Sequence, residues 1–179
     1  MAYFTLGEIF RRSNRWEEAV RAYETATQLD EHAWWSAALS TWCYEQLGDM
    51  EGARRMGQEA VKRLEEAIRF DPENANAYSI GCFMLRTLGK DERAVEWANR
   101  AIELDPGDHQ TEYNIASFFV LIRQLDRAFD ILDRCMPHLG EAQLTWMQSD
   151  PDFDMVRDHP RYLSLLQREK QRWSDAAVR

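Results

Sequence analysis

Residues 75–108, ANAYSIGCFMLRTLGKDERAVEWANRAIELDPGD, are the stretch that decides the fold. The stretch predicts two helices, the first ended by a turn at Gly89 and the second by Pro106. Small residues recur inside it, because Ala94 lies five residues after Gly89 and Ala101 lies seven residues after Ala94. Two antiparallel helices approach closely only where their contact positions are small, so this spacing predicts one tightly packed helix pair.

The same spacing resembles the tetratricopeptide repeat, a helix-turn-helix unit that stacks into arrays. Within it, Tyr78, Cys82 and Leu85 take the first-helix positions that this family usually gives to Trp, Gly and Tyr. The resemblance implies an all-α fold, a right-handed α-solenoid of antiparallel helix pairs. Repeats of this kind are scaffolds for binding, so the resemblance indicates the class of function and leaves the partner open.

The pattern extends over most of the chain. We predict four repeats, at about residues 1–31, 32–72, 73–106 and 107–138, followed by capping helices over residues 139–179. Asn14 in the first repeat and Arg123 in the fourth occupy the turn position that Gly89 occupies in the third. After Gly, Asn is the residue that best tolerates a left-handed turn. The first repeat begins abruptly at Tyr3, so we expect the chain to be cut from a longer one, with a genuine short N-terminus as the alternative.

The second repeat is longer than the others. Gly48 and Pro72 are 24 residues apart, whereas Gly89 and Pro106 are 17 apart. The difference is close to two helical turns, so the insertion lengthens the second helix without rotating its buried face. We therefore predict one long helix over residues 50–70.

The tail is predicted to close the array. A short helix over residues 142–148 is expected to precede a tight segment that holds Phe153, and a last helix is expected to begin near Pro160. Leu163, Leu166 and Trp173 on that helix are expected to cover the apolar end of the fourth repeat.

The tail sequence DPDFDMVRDHPRYLSLL, residues 150–166, carries a second and narrower resemblance. It is similar to the C-terminal end of repeat regions in bacterial multidomain signalling proteins, among them class III adenylate cyclases, winged-helix regulators and serine/threonine kinases. This resemblance implies a setting and no specific activity.

Composition excludes several classes of partner. The formal net charge of −9 and the pI near 5.0 disfavour nucleic acid and anionic membrane surfaces, which both attract basic proteins. No apolar run in the sequence is long enough to span a bilayer. The three scattered cysteines favour a reducing compartment, so we expect a cytoplasmic protein.

No catalytic or metal-binding constellation is evident in the sequence. The four histidines are far apart, and none is spaced for metal binding with a Cys or a carboxylate; they are His32, His109, His138 and His159. The DPDFD cluster lacks the Gly and the terminal Glu of a calcium loop. We therefore predict that the protein is not an enzyme and holds no cofactor or metal.

The resemblance also implies a binding groove, because a fixed set of first-helix positions in each repeat faces the concave surface of such arrays. The candidate partner-binding residues are Phe4, Glu8, Arg11, Trp35, Trp42, Asn76, Phe83, Arg86, Tyr113 and Ser117. Because this set contains no Lys, it does not reproduce the clamp by which chaperone-binding members of the family hold a C-terminal carboxylate. Its density of aromatic residues is typical of surfaces with apolar anchors, and Arg11 and Arg86 are expected to add local positive charge.

Two occupants of this groove remain open from the sequence. One is an external protein or peptide segment, and the other is the chain's own C-terminal segment or a second copy of the chain. We predict a protein-interaction scaffold, the interaction or oligomerisation part of a larger bacterial signalling protein. The alternative is a regulatory domain that senses a small molecule in an aromatic pocket, which requires a closed cavity in place of an open groove.

Overall fold

The computed structural model describes residues 2–177, which form ten α-helices and two short 3-10 helices and contain no strand. The α-helices are α1 (Ala2–Arg12), α2 (Trp16–Leu29), α3 (Trp34–Gln46), α4 (Met50–Phe70), α5 (Ala75–Thr87), α6 (Asp91–Leu104), α7 (His109–Leu121), α8 (Leu125–Cys135), α9 (Glu141–Met147) and α10 (Pro160–Ala177). The 3-10 helices are Met136–His138 and Pro151–Val156. The predicted all-α class is confirmed. No helix in this described part of the chain is long and apolar enough to cross a lipid bilayer.

The described residues divide into two compact units, an N-terminal unit up to Trp97 and a C-terminal unit from Ala98. In the N-terminal unit α1 packs against α2, α2 against α3, α3 against α4, and α4 against α5. In the C-terminal unit α7 packs against α8 and against the 3-10 helix Pro151–Val156. Each of the four predicted repeats contains two consecutive helices, although the repeat boundaries themselves remain a prediction.

The two helices of each predicted repeat are joined through one residue with positive φ. The φ angle is 55° at Asn14, 72° at Gly48, 70° at Gly89 and 62° at Arg123. At each turn this residue donates its amide to the carbonyl three residues earlier, and the next amide reaches the carbonyl five residues earlier. These paired bonds are the left-handed helix ending that Gly89 and Asn14 predicted. Arg123 adopts the same conformation with a side chain, which L residues do only at a cost.

In the N-terminal unit, each helix pair has an aromatic ring lying directly on a helical glycine. The three contacts are those of Gly7 with Tyr23, Gly52 with Tyr44, and Gly81 with Trp97. A Cβ atom on any of these glycines would lie closer than 3.0 Å to the ring. In the third pair, the sequence pattern placed Cys82 at the first-helix position that the repeat family usually gives to Gly. Cys82 is buried, but the residue that the Trp97 ring contacts is the neighbouring Gly81.

Helix α4 runs without a break from Met50 to Phe70, as the longer spacing of the second repeat predicted. It contains 21 residues, whereas α2 and α6 contain 14 each. Its buried residues follow helical spacing along one face and include Ala53, Ala60 and Leu64. The insertion therefore extends the helix while its buried face stays continuous.

The C-terminal unit has a dense aromatic core. Its side chains with no more than 1% exposure include Phe118, Phe119, Phe129, Phe153 and Tyr162. The Tyr162 hydroxyl donates to the Met147 carbonyl at 2.9 Å, so α10 is joined to the end of α9 by a buried hydrogen bond. Two of these five side chains come from the tail, which is therefore part of this core.

Helix α10 begins at Pro160, as predicted, but it buries a different face from the predicted one. Leu163 and Trp173 are 50% and 36% exposed, whereas Tyr162 and Leu165 are only 1% and 3% exposed. Arg161 helps to fix this rotation, because it donates to two carboxylates on α8 at 2.6 and 2.9 Å. The prediction that Leu163 and Trp173 cover the fourth repeat is wrong.

Candidate partner-binding surface

Three aromatic side chains from the predicted groove keep part of their surface in solvent. They are Phe4 on α1 and the pair Trp35 and Trp42 on α3, all half-buried. Each packs against a core cluster of α2 and α3 that includes Tyr23 and Cys43. The core therefore fixes these rings while part of each remains accessible. Rigid aromatic side chains of this kind concentrate binding energy at protein interfaces.

Phe83 on α5 offers less surface than the sequence predicted. It is 6% exposed, and the Trp42 ring stands edge-on against it with the ring centroids 6.2 Å apart. Phe83 therefore supports Trp42, which is the exposed member of the two. Asn76 lies exposed on the first turn of the same helix.

Both arginines of the predicted groove are paired with carboxylates. Arg11 donates to the two carboxylate oxygens of Glu8, with both distances 3.0 Å, and this hydrogen bonding lowers the pKa of Glu8. Arg86 lies 3.4 Å from a carboxylate oxygen of Glu45, which also accepts a hydrogen bond from Thr87 at 2.6 Å. The local positive charge expected from Arg11 and Arg86 is therefore offset by their partners.

Two polar atoms on α5 are buried with no hydrogen-bond partner among the described residues. They are Ser79 Oγ and Arg86 Nε, and Ser79 is 1% exposed. Arg86 belongs to the predicted groove set, and Ser79 lies on the same helix face, three residues after Asn76 and four before Phe83. Because buried polar groups are nearly always hydrogen-bonded, these two atoms have unused bonding capacity beside the aromatic side chains.

The chain's own tail covers the two predicted groove residues of the C-terminal unit. Tyr113 donates to Asp150 at 2.6 Å, and its ring centroid lies 5.5 Å from that of Phe153. The Ser117 hydroxyl lies 3.1 Å from a carboxylate oxygen of Asp152. Burial and the hydrogen bond to Asp150 raise the pKa of Tyr113 well above its usual range. Of the occupants that the sequence left open, the tail is the one found here, so Tyr113 and Ser117 are not accessible to a partner.

The cysteines lie in the interior. Cys43, Cys82 and Cys135 are all free thiols and all buried. Burial raises the pKa of Cys43 to about 11 and that of Cys135 to about 12. Because the thiolate is the reactive form, these positions suit packing rather than chemistry.

The structure brings together two histidines that are distant in the sequence. The His109 ring stacks on the His138 ring with centroids 4.2 Å apart, and His109 Nδ1 lies 3.1 Å from Glu112 Oε2. Nothing in the sequence predicted the stacking of these two rings, because they lie 29 residues apart. Within residues 2–177, no three or more His, Cys, Asp and Glu side chains are grouped so that they could hold a metal ion.

Comparisons with known proteins identify the type of repeat. Residues 1–33 and residues 78–108 each match a family model described as "Tetratricopeptide repeat". Neither model describes a catalytic family. No curated protein sequence matches the chain at a significant level.

Among the solved structures that match this chain, three differ in how much of the two chains the match covers. An O-GlcNAc transferase mutant from Thermobaculum terrenum is 19% identical, with a TM-score of 0.51 over 74% of this chain and 25% of that one. A crystal structure of MamA is 16% identical, with a TM-score of 0.49 over 97% of this chain and 98% of that one. YrrB, described as a TPR protein with an unusual peptide-binding site, is 17% identical, with a TM-score of 0.46 over 93% of this chain and 82% of that one.

At this level of identity, the similarity to the transferase concerns the fold alone. The two matched segments add the type of repeat, and both of them lie on predicted repeats. Residues 1–33 and 78–108 are therefore similar to the tetratricopeptide repeat, and the described residues have an all-α fold of the α-solenoid class.

Proposed function

We propose that the chain is a protein-interaction scaffold that binds a protein or peptide segment on the surface carrying Phe4, Trp35 and Trp42. The observation that supports this proposal is that all three rings are fixed by the core and still partly exposed. Apolar surface left in water is unfavourable by about 25 cal/mol per Å², so burial of these rings under a bound segment stabilises the complex. Rings that are already held in place lose little conformational entropy on binding.

The chemistry of the surface indicates what the segment contains. Apolar side chains are expected to contact Trp35 and Trp42. Because Arg11 and Arg86 are already paired with Glu8 and Glu45, a strongly acidic segment has no net positive field to attract it. The partner is therefore an amphipathic or extended segment with apolar anchors and few charges.

The setting is a further part of the proposal. The resemblance of residues 150–166 to the ends of repeat regions in bacterial signalling proteins supports a role as the interaction or oligomerisation part of a larger cytoplasmic signalling protein. The three free cysteines are consistent with a reducing compartment. A second copy of the chain is an alternative source of the bound segment.

A binding experiment tests the proposal directly. A random peptide library displayed on phage is selected against the immobilised chain, and a selected synthetic peptide is titrated by calorimetry. Trp42→Ala is expected to weaken binding by about 2 kcal/mol, roughly thirtyfold. Trp146→Ala is the matched control, because it removes the same side chain from a 54% exposed position on α9 that lies outside this surface.

The opposite pattern would refute the site. If Trp35→Ala and Trp42→Ala both bind the peptide as tightly as the parent, the segment does not use these rings. The alternative of a small-molecule sensor requires an enclosed cavity, and the partial exposure of both tryptophans favours an extended segment over it.

A further inference from the structure

A cavity of about 640 Å³ lies beside the end of α4. Its lining includes Trp34, Arg63, Glu66, Ala67, Phe70 and Asp71. Its volume is within the range of pockets that bind small ligands or single side chains.

The inserted turns of α4 build one wall of this cavity. A helix as long as α2 or α6, which have 14 residues each, would start at Met50 and end at Arg63. Glu66, Ala67 and Phe70 therefore all belong to the extra two turns that distinguish the second repeat. The lengthening of α4 thus places an acidic and an aromatic side chain where the shorter helices have none.

Two aromatic rings of the cavity are available to a ligand. Phe70 is 93% exposed, and Trp34 is half-buried. Trp34 is stacked on Trp35 with ring centroids 4.9 Å apart and an interplanar angle of 23°. The stacking holds Trp34 in place, whereas Phe70 is free to adjust to what enters.

The uncompensated charge at this cavity is negative. Glu66 and Asp71 form no ion pair within residues 2–177. Arg63 has no free charge to balance them, because its guanidinium pairs with Glu59 at 2.7 Å and also donates to the carbonyls of two α2-end residues at 2.5 and 2.9 Å. The Arg63 side chain is only 11% exposed.

We propose that this cavity binds a cationic side chain, an Arg or Lys of a basic segment in a partner protein. Aromatic faces attract cations through the ring quadrupole, and two carboxylates at the same site complement the charge. The apolar stem of Arg or Lys matches the wall formed by Ala67 and Phe70, while its charged end meets Glu66 and Asp71. This site adjoins the proposed segment-binding surface, because Trp34 is stacked on Trp35, but it differs from that surface in its unbalanced negative charge.

The test uses a titration followed by ¹⁵N-¹H NMR, which detects weak binding residue by residue. The probes are the pentapeptide amide Ac-GGRGG-NH₂, its neutral counterpart Ac-GGQGG-NH₂, and guanidinium chloride as a free cation. The arginine peptide is expected to shift amide and indole signals at residues 32–34 and 63–74, and the glutamine peptide is expected to leave them in place. Guanidinium is expected to bind at least threefold more weakly than the arginine peptide, because it lacks the apolar stem.

Variants assign the binding to the named residues. Glu66→Gln and Phe70→Ala are each expected to weaken the arginine peptide at least threefold. The matched controls are Glu51→Gln, at the exposed start of the same helix, and Leu29→Ala, a 71% exposed apolar residue that does not line the cavity. All four positions are exposed, so each variant is expected to keep the parent's circular dichroism spectrum.

Three results would overturn the proposal. The first is equal shifts with the arginine and glutamine peptides. The second is unchanged affinity in both Glu66→Gln and Phe70→Ala. The third is guanidinium binding as tightly as the arginine peptide, which would mean that the cavity takes a free cation and no protein segment.

Discussion

The same substitution is expected to have opposite effects at two glycines of the N-terminal unit. Gly81 on α5 and Gly57 on α4 both lie inside helices, where replacing Gly with Ala ordinarily stabilises by about 0.5–1 kcal/mol. At Gly57 the nearest atom to an added Cβ is Leu88 Cδ2 at 3.5 Å, an ordinary van der Waals contact. Gly57→Ala is therefore expected to increase the free energy of unfolding by about 0.5–1 kcal/mol.

At Gly81 the added atom meets a ring that is held on several sides. A Cβ would lie closer than 3.0 Å to two carbons of the Trp97 ring. That ring is 8% exposed, stands edge-on to Tyr78 at 5.5 Å, and lies under the Arg93 guanidinium at 5.0 Å. Overpacking of this kind costs about 1–3 kcal/mol, which exceeds the gain in helix propensity. Gly81→Ala is therefore expected to lower the free energy of unfolding by about 0.5–2 kcal/mol.

Urea unfolding followed by circular dichroism and by tryptophan fluorescence measures both variants against the parent. The expected order of midpoints is Gly57→Ala above the parent and Gly81→Ala below it. A Gly81→Ala protein as stable as Gly57→Ala, with unchanged fluorescence, would mean that Trp97 does not lie on α5 as described. Gly81→Ala combined with Trp97→Leu provides a further check, because removing the ring should abolish the penalty of the added methyl group.

Three further outcomes are expected. Ala94→Leu overpacks a fully buried position and should lower the free energy of unfolding in urea by about 1–3 kcal/mol. The control Glu103→Gln changes an exposed position and should lower it far less. Equal unfolding midpoints for the two variants would contradict the repeat register. Arg123→Gly relieves the positive φ of 62° and should raise the free energy of unfolding by about 1 kcal/mol. A destabilised variant would show that the Arg123 side chain stabilises the turn by more than the positive φ costs. Burial raises the pKa of Cys43 to about 11 and that of Cys135 to about 12. At pH 8 the two thiols should therefore react with Ellman's reagent about a hundredfold and about a thousandfold more slowly in the folded protein than in urea, and equal rates would contradict their burial.

Local sequence was enough to predict the helices and their turns. The spacing of small and apolar residues in residues 75–108 gave a helix pair, and the left-handed turns at Asn14, Gly48 and Gly89 follow from residues that tolerate positive φ. The unbroken length of α4 also followed from spacing, because an insertion close to two turns leaves the buried face continuous. These features depend on residues a few positions apart, and such residues are neighbours in any helix.

Tertiary structure decided which surfaces are covered. Tyr113 and Ser117 have the pattern of groove residues, but the tail brings Asp150 and Phe153 onto them from more than 30 residues away. The aromatic residues of the N-terminal unit carry the same kind of pattern, and Trp42 there remains accessible. Nothing in the local sequence distinguishes the two cases.

The same limit explains the differences from prediction at Gly81 and on α10. Cys82 and Gly81 are both small, and only the position of the Trp97 ring selects Gly81. Helix α10 carries apolar residues on more than one side, and the ion pairs from Arg161 to α8 favour the rotation that buries Tyr162. Sequence spacing determined where this chain is helical, because hydrogen bonding and side-chain spacing within a helix are local. Which face of each helix is buried was decided only by tertiary structure, because it depends on contacts between residues far apart in the chain.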